Sequence, residues 1–213
     1  SKEYSATMMP AGAKGTPNHA EKVMKYYSIA TGDSSAEISL LEGNSGLKVV
    51  YYNQGDAAWK SIPYSTSTIG QSGCGPTSMA ICISTLSGKK ITPRQTCQWA
   101  GSQGYYVKGA GSKHDVIPGL AKKYGVKCKG VGKNKPQIIQ ALKTGKLVVA
   151  IMSAGHFTSG GHFIVLTGIK DGKITVADCG SRQRTKQTWS LDLIVNESNS
   201  SASAGGPFWI ISK

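Results

Sequence analysis

Three apolar runs of strand length fall between residues 147 and 178, and they dictate an antiparallel sheet. Leu147 to Met152 and His162 to Ile169 are rich in β-branched and other apolar side chains, and Lys173 to Asp178 continues them across an Asp171-Gly172 turn. Runs this short, bounded by glycine and polar residues, suit strands better than helices. A tight Asp-Gly joint connects antiparallel neighbours, because a parallel crossover needs a dozen residues or more. Further strands are expected at Val49 to Tyr52, near Thr188-Trp189 and at Phe208 to Ser212. No apolar run approaches the roughly 20 residues of a membrane-spanning helix.

Helical signals dominate the residues upstream. Asn18 and Glu21 have capping-box spacing behind Pro17, with Ala20, Val23, Met24 and Tyr27 on one apolar face and Gly32-Asp33 as a stop. A second helix is expected to open at Cys74, marked by Met79, Cys82 and Leu86 and closed by Gly88. Others should start at Thr92-Pro93-Arg94-Gln95, run from Ser112 to Tyr124, and run from Pro136 to Thr144, the last two ending at Gly125 and Gly145. Helices first and an antiparallel sheet afterwards is an α+β order. Residues 1–46 read as an N-terminal arm and helix of unknown role, and residues 47–213 as one domain; 39% hydrophobic residues suffice for its core. Asn53 to Ser72 is a long loop with Trp59 and Tyr64 as anchors, and Asn196 to Gly206 a surface loop.

The five cysteines are scattered, with no Cys-x-x-Cys pair, which argues against a disulfide-stapled scaffold and a structural zinc site. Cys74 is distinctive because it stands between Gly73 and Gly75 at a helix start. The helix dipole and unpaired N–H groups there favour a thiolate, and the flanking glycines leave room for a substrate carbonyl. The bland alternative is a small buried hydrophobe at a glycine-rich turn. A reactive thiolate needs a base. Of the four histidines, His19 and His114 read as surface residues and His156 lies in a Gly/Ser segment. His162 opens the apolar strand behind Gly160-Gly161, where its ring would stand at a sheet end. Asp178 closes the apolar strand Ile174-Thr175-Val176-Ala177, and a carboxylate there demands a partner. With a two-residue turn, Asp178 would oppose Val165 and face away from His162. A three-residue loop, Lys170-Asp171-Gly172, would set Asp178 opposite Ile164 and diagonal to His162, about 7–8 Å apart. A three-residue or other odd-length loop is therefore expected.

Taken in order, Tyr51-Tyr52-Asn53-Gln54-Gly55-Asp56-x-x-Trp59, Gly73-Cys74-Gly75-Pro76-Thr77-Ser78, Gly160-Gly161-His162-Phe163-Ile164-Val165 and Val176-Ala177-Asp178 resemble the papain-like cysteine peptidases. Among them the pattern resembles the branch related to bacteriocin-processing, double-glycine peptidases. The resemblance implies a papain-like α+β fold, its helical part bearing the nucleophile and its antiparallel sheet bearing His and Asp. It implies Cys74 as nucleophile, His162 as general base and acid, Asp178 as the residue orienting the imidazole, and Gln54 as oxyanion donor; Gln71, three residues before Cys74, is a second oxyanion candidate by position alone. No cofactor or metal is implied. Cys179 stands where relatives often have proline, a departure not expected to touch the chemistry.

Lys and Arg exceed Asp and Glu by 25 to 11, a net charge of +14. This keeps two rival readings in view: a cell-wall hydrolase using the same site on a peptidoglycan peptide, and a non-catalytic module binding anionic polymers. The lysines are dispersed singly or in pairs, without aromatic interleaving, so no specific nucleic-acid partner is expected. A secreted or cell-surface location in a bacterium fits the charge, with peptide, protein or peptidoglycan-peptide substrates and an attraction to anionic wall polymers.

Overall fold

A computed structural model describes residues 39–42 and 47–213; the helix expected from Pro17, and His19, lie outside the described residues. In chain order the elements begin with β1 (Ser39–Glu42) paired to β2 (Lys48–Tyr51), the hairpin β3 (Pro63–Tyr64) and β4 (Ser67–Thr68), α1 (Ile69–Ser72), α2 (Cys74–Ser87) and α3 (Pro93–Ser102). A second short hairpin, β5 (Tyr106–Val107) and β6 (Gly111–Ser112), leads to α4 (Val116–Tyr124), β7 (Lys127–Gly130) and α5 (Lys135–Lys143). Then follow β8 (Leu147–Met152), β9 (His162–Lys170), β10 (Lys173–Ala177), α6 (Arg182–Thr185), β11 (Thr188–Trp189), α7 (Leu191–Glu197) and β12 (Phe208–Ser212). One six-stranded sheet has the order β11-β10-β9-β8-β12-β7, with every neighbouring pair antiparallel. The expected α+β class is realised.

Three local expectations need correction. Helices do not all precede the sheet, because β7 comes before α5 and forms the sheet's outer edge. The helix expected from Ser112 to Tyr124 starts at Val116 instead, since Ser112 is drawn into β6, where its hydroxyl meets the buried Tyr64 hydroxyl at 2.6 Å. The segment from Asn53 to Ser72 is not one loop; it carries β3, β4 and α1, although Trp59 and Tyr64 are buried anchors as expected.

Helix α2 is buried on almost every side, from Gly75 through Leu86, and packs against β9, β2, α3 and α4. Burial all round suits its apolar and small residues. Gly73 at its N-cap supplies no side-chain cap, so the first-turn N–H groups stay available. Pro76 sits in that first turn, where its missing N–H costs no helical bond. Gly88 ends the helix at φ 70°, a left-handed conformation that glycine adopts freely. On the sheet, Val148, Ala150, Ile164, Leu166, Val176 and Phe208 join Ile138, Leu142 and Ile194 from α5 and α7 in one fully buried core.

The β9–β10 register reaches the expected outcome by another route. Lys170 pairs with Lys173, so the connection is the two-residue turn Asp171-Gly172, with φ 50° and 73°, the type I′ geometry that Asp-Gly favours. The expected three-residue loop is absent. A bulge intervenes instead: Gly168 faces Thr175 but Leu166 faces Val176, leaving Thr167 unpaired between them. The Thr167 hydroxyl satisfies itself against the Thr175 hydroxyl at 2.9 Å. Beyond the bulge Ala177 faces Val165, the alignment that brings Asp178 diagonal to His162.

Leu166 is fully buried at this junction. Leu166→Ala should destabilise the fold by about 2–5 kcal/mol, read in urea unfolding as a lower midpoint with unchanged slope. A loss below 1 kcal/mol would show that this core is not close-packed.

Candidate active site

Four expected residues meet where the start of α2 approaches the ends of β9 and β10. Cys74 is the first residue of α2 and is partly exposed. Glycine at 75 lets the helix come this close, because a Cβ there would lie 3.2 Å from the Phe163 ring and 3.3 Å from Val116. His162 is the first residue of β9 and buried; its Nε2 lies 2.7 Å from Asp178 Oδ1. With Nε2 so engaged, the other ring nitrogen is left for the Cys74 sulfur, to which the imidazole is also hydrogen-bonded.

Charge separation follows from these contacts. Burial alone would raise the Cys74 pKa, but the imidazole's hydrogen bond and charge, with the Phe163 and Gly75 N–H groups, win and hold it below the ordinary thiol value. Burial alone would lower the His162 pKa, but bonds to Asp178 and Cys74, and their negative charges, raise it to about 9. Thiolate and imidazolium thus stabilise one another.

Asp178 is wholly buried and fully satisfied. Oδ1 accepts from His162 and from the Gly180 N–H at 2.8 Å, and Oδ2 accepts from Arg184 Nε at 2.6 Å. Burial would raise its pKa; the bonds and charge of His162, with Arg184 and the Gly180 N–H, outweigh it and keep the carboxyl below its usual range. Its backbone is fixed as well: Tyr51 Oη donates to its carbonyl at 2.8 Å, and its N–H donates to Thr185 Oγ1 at 2.9 Å. The sequence reading missed Arg184. It lies in α6, a four-residue helix too short for a periodic signal, although a buried carboxylate followed six residues later by an arginine was a legible clue.

Gln54 is buried just past β2 and reaches the same place, tied by its backbone N–H to the Cys179 carbonyl at 2.8 Å. Its Nε2 donates to Gly70 O at 2.9 Å, which uses one of two N–H bonds. Gln71, the alternative, is exposed and its amide oxygen accepts from the Ser67 hydroxyl at 3.2 Å. His156 is exposed and pairs with Glu197 at 2.5 Å, apart from these residues. His114 is half-buried rather than a surface residue; its Nδ1 accepts from the Ser203 N–H at 3.0 Å, and burial lowers its pKa. Cys179, expected to stand apart from the chemistry, is buried against Gln54 and the Cys74 carbonyl.

The sequence profile of the Peptidase C39-like family matches residues 46–204. No curated protein matches the chain. Among solved structures, a C39-like peptidase from Bacillus anthracis is similar, with TM-score 0.49 and 16% identity over 84% of this chain and 98% of that one. The peptidase domain of Streptococcus ComA, a bi-functional ABC transporter of a quorum-sensing pathway, gives 0.48 and 13% over 66% and 91%. A double-glycine-motif protease from an AMS/PCAT transporter, solved with its leader peptide, gives 0.46 and 17% over 81% and 94%.

The close packing of Gly180 on the ring gives a test of geometry alone. A Cβ at that position would stand 3.0 Å from His162 Cε1 and 3.2 Å from Nε2. Gly180→Ala should displace the imidazole and slow alkylation of Cys74 by iodoacetamide at pH 6 about tenfold, with the circular dichroism spectrum unchanged. An unaltered rate would mean that the ring position does not control the sulfur.

Proposed function

Because the chain belongs to the Peptidase C39-like family and is a cysteine peptidase, we propose that it cleaves peptide bonds through a thioester on Cys74, with His162, Asp178 and Gln54 as its partners. The observation that carries this reading is the buried His162–Asp178 bond beside a partly exposed cysteine at a helix N-terminus.

In the proposed reaction the Cys74 thiolate attacks the substrate carbonyl carbon. A C–S bond forms and the carbonyl electron pair moves onto oxygen. The Cys74 N–H, which has no carbonyl within its own helix to reach, and the second Gln54 Nε2–H stabilise that oxyanion. As the C–N bond breaks, the His162 imidazolium gives its proton to the departing amine. Water then attacks the thioester, the neutral imidazole takes one of its protons, and the acid is released as the thiolate reforms. Asp178 holds the ring by Nε2 throughout, and Arg184 and Gly180 hold Asp178. The +14 charge supports a bacterial cell-surface setting for this activity, where anionic polymers would concentrate the protein.

The active form carries a charged sulfur and a charged ring together, so its window is set by the two pKa values. Activity should rise with pH as Cys74 loses its proton, below the ordinary thiol range, and fall as His162 loses its proton near 9. Hydrolysis of a peptide library, followed by mass spectrometry, should show this bell, and Cys74→Ala should abolish cleavage. In His162→Ala, reactivity of Cys74 toward iodoacetamide at pH 5–6 should disappear and return only near the free-thiol value of about 8.5. Rapid alkylation of Cys74 at pH 5 without His162 would refute the thiolate–imidazolium pair.

A further inference from the structure

A side-chain amide has two orientations related by a half-turn, and Gln54 can serve an oxyanion only with its nitrogen toward the reacting carbonyl. Gly70 O attracts Nε2 at one side of the group. On the other side, Cys179 Sγ lies 3.4 Å from Oε1. The Cys179 thiol is fully buried, and burial, with the negative charge of Cys74 and Asp178 nearby, pushes its pKa well up, so it stays protonated and is a donor. Its remaining neighbours are acceptors: the carbonyls of Cys74 and Phe163, each at 3.5 Å, and Ser78 Oγ at 3.6 Å, whose own proton goes to Phe163 O. An inverted amide would set its oxygen against Gly70 O, two acceptors face to face, and forfeit the thiol's proton. Residue 179 also accepts the Gln54 backbone N–H, so it holds that residue at backbone and side chain together.

We propose that Cys179 is a positioning residue for acyl transfer: its thiol donates to Gln54 Oε1 and keeps Nε2 turned toward the oxyanion. The proposal rests on the reading of Gln54 as the oxyanion donor. Nothing in it requires Cys179 to react or to touch substrate, and its buried sulfur is inaccessible to both.

Two reagents separate the oxyanion donor from the nucleophile. Acylation of Cys74 by p-nitrophenyl acetate forms a C–S bond, places charge on the carbonyl oxygen and expels p-nitrophenolate, seen as a burst absent in Cys74→Ala. Alkylation by iodoacetamide displaces iodide from a saturated carbon and forms no oxyanion. Cys179→Ala should slow the burst about fivefold, a size suited to a weak S–H donor, and leave alkylation unchanged. Cys179→Ser, which keeps a donor, should restore the burst. Gln54→Ala should slow it about a hundredfold, and in that background Cys179→Ala should cost nothing more. Where the alanine variant unfolds, Cys179→Val, close in volume and without a donor, takes its place. The proposal is overturned if both reactions slow together, or if the loss at 179 is the same with and without Gln54. It is overturned equally if the burst is unchanged in Cys179→Ala while Gln54→Ala impairs it. A normal burst in Gln54→Ala would instead remove the oxyanion reading of Gln54, and this proposal with it.

Discussion

A carboxylate with no solvent exposure stands at the centre of the structure. An ionised group in such a place costs several kcal/mol unless its lone pairs are met, and Asp178 has donors on both oxygens. Those donors come from β9, from the turn after β10 and from α6, so satisfying one charge fixes the mutual placement of three elements. The chain around it follows suit. Tyr51 from β2 donates to the Asp178 carbonyl, Asn53 Nδ2 donates to the Tyr51 hydroxyl at 3.1 Å, and Arg182 bridges to Asp56 at 2.6 Å across the same surface. The segment carrying Gln54 is thereby tied to the turn carrying Asp178 and Cys179. The residues of the site are held less by their own contacts than by the needs of this buried charge.

The electrostatics of Cys74 and His162 are set by the same arrangement. A thiol in a buried setting resists ionisation, as Cys82 and Cys97 show: burial pushes both well above the ordinary thiol value. Cys74 differs in having a cation beside it and two backbone N–H groups aimed at the sulfur. That cation persists because Asp178 lies behind it. Arg184 pulls the other way on the ring, being positive, yet it keeps the carboxylate ionised; the balance leaves His162 raised and Asp178 lowered.

Much of this was legible in the residues themselves. A cysteine between glycines at a helix start, a histidine opening an apolar strand and an aspartate closing the next one each break a local pattern, and such breaks are expected where function resides. The capping box of Thr92 and Gln95 and the glycine stops at 88 and 125 were legible for the same reason, being local chemistry. What stayed hidden depends on partners far along the chain. Strand β7, Lys127–Gly130, is short and polar because it is an edge, and it is recognisable only once β12 pairs with it. Helices α6 and α7 are too brief for periodicity. Cys179 breaks no sequence rule; its importance comes from what folding places beside it.

The β9–β10 pair shows how a correct contact can be inferred through an incorrect device. Asp171-Gly172 is a strong signal for a two-residue turn, and it forms one. Because side chains alternate with period two, that turn alone would send Asp178 to the face opposite His162. The contact therefore requires one extra residue somewhere in the pair, and the local chemistry of the turn gives it no place there. Thr167 takes that role within the strand, where its hydroxyl meets Thr175 and its neighbours Leu166 and Gly168 remain in register on either side. A bulge also sharpens the local twist. The same insertion that corrects the face thus falls within β9, C-terminal to His162, the residue that must meet both a helix terminus and a carboxylate.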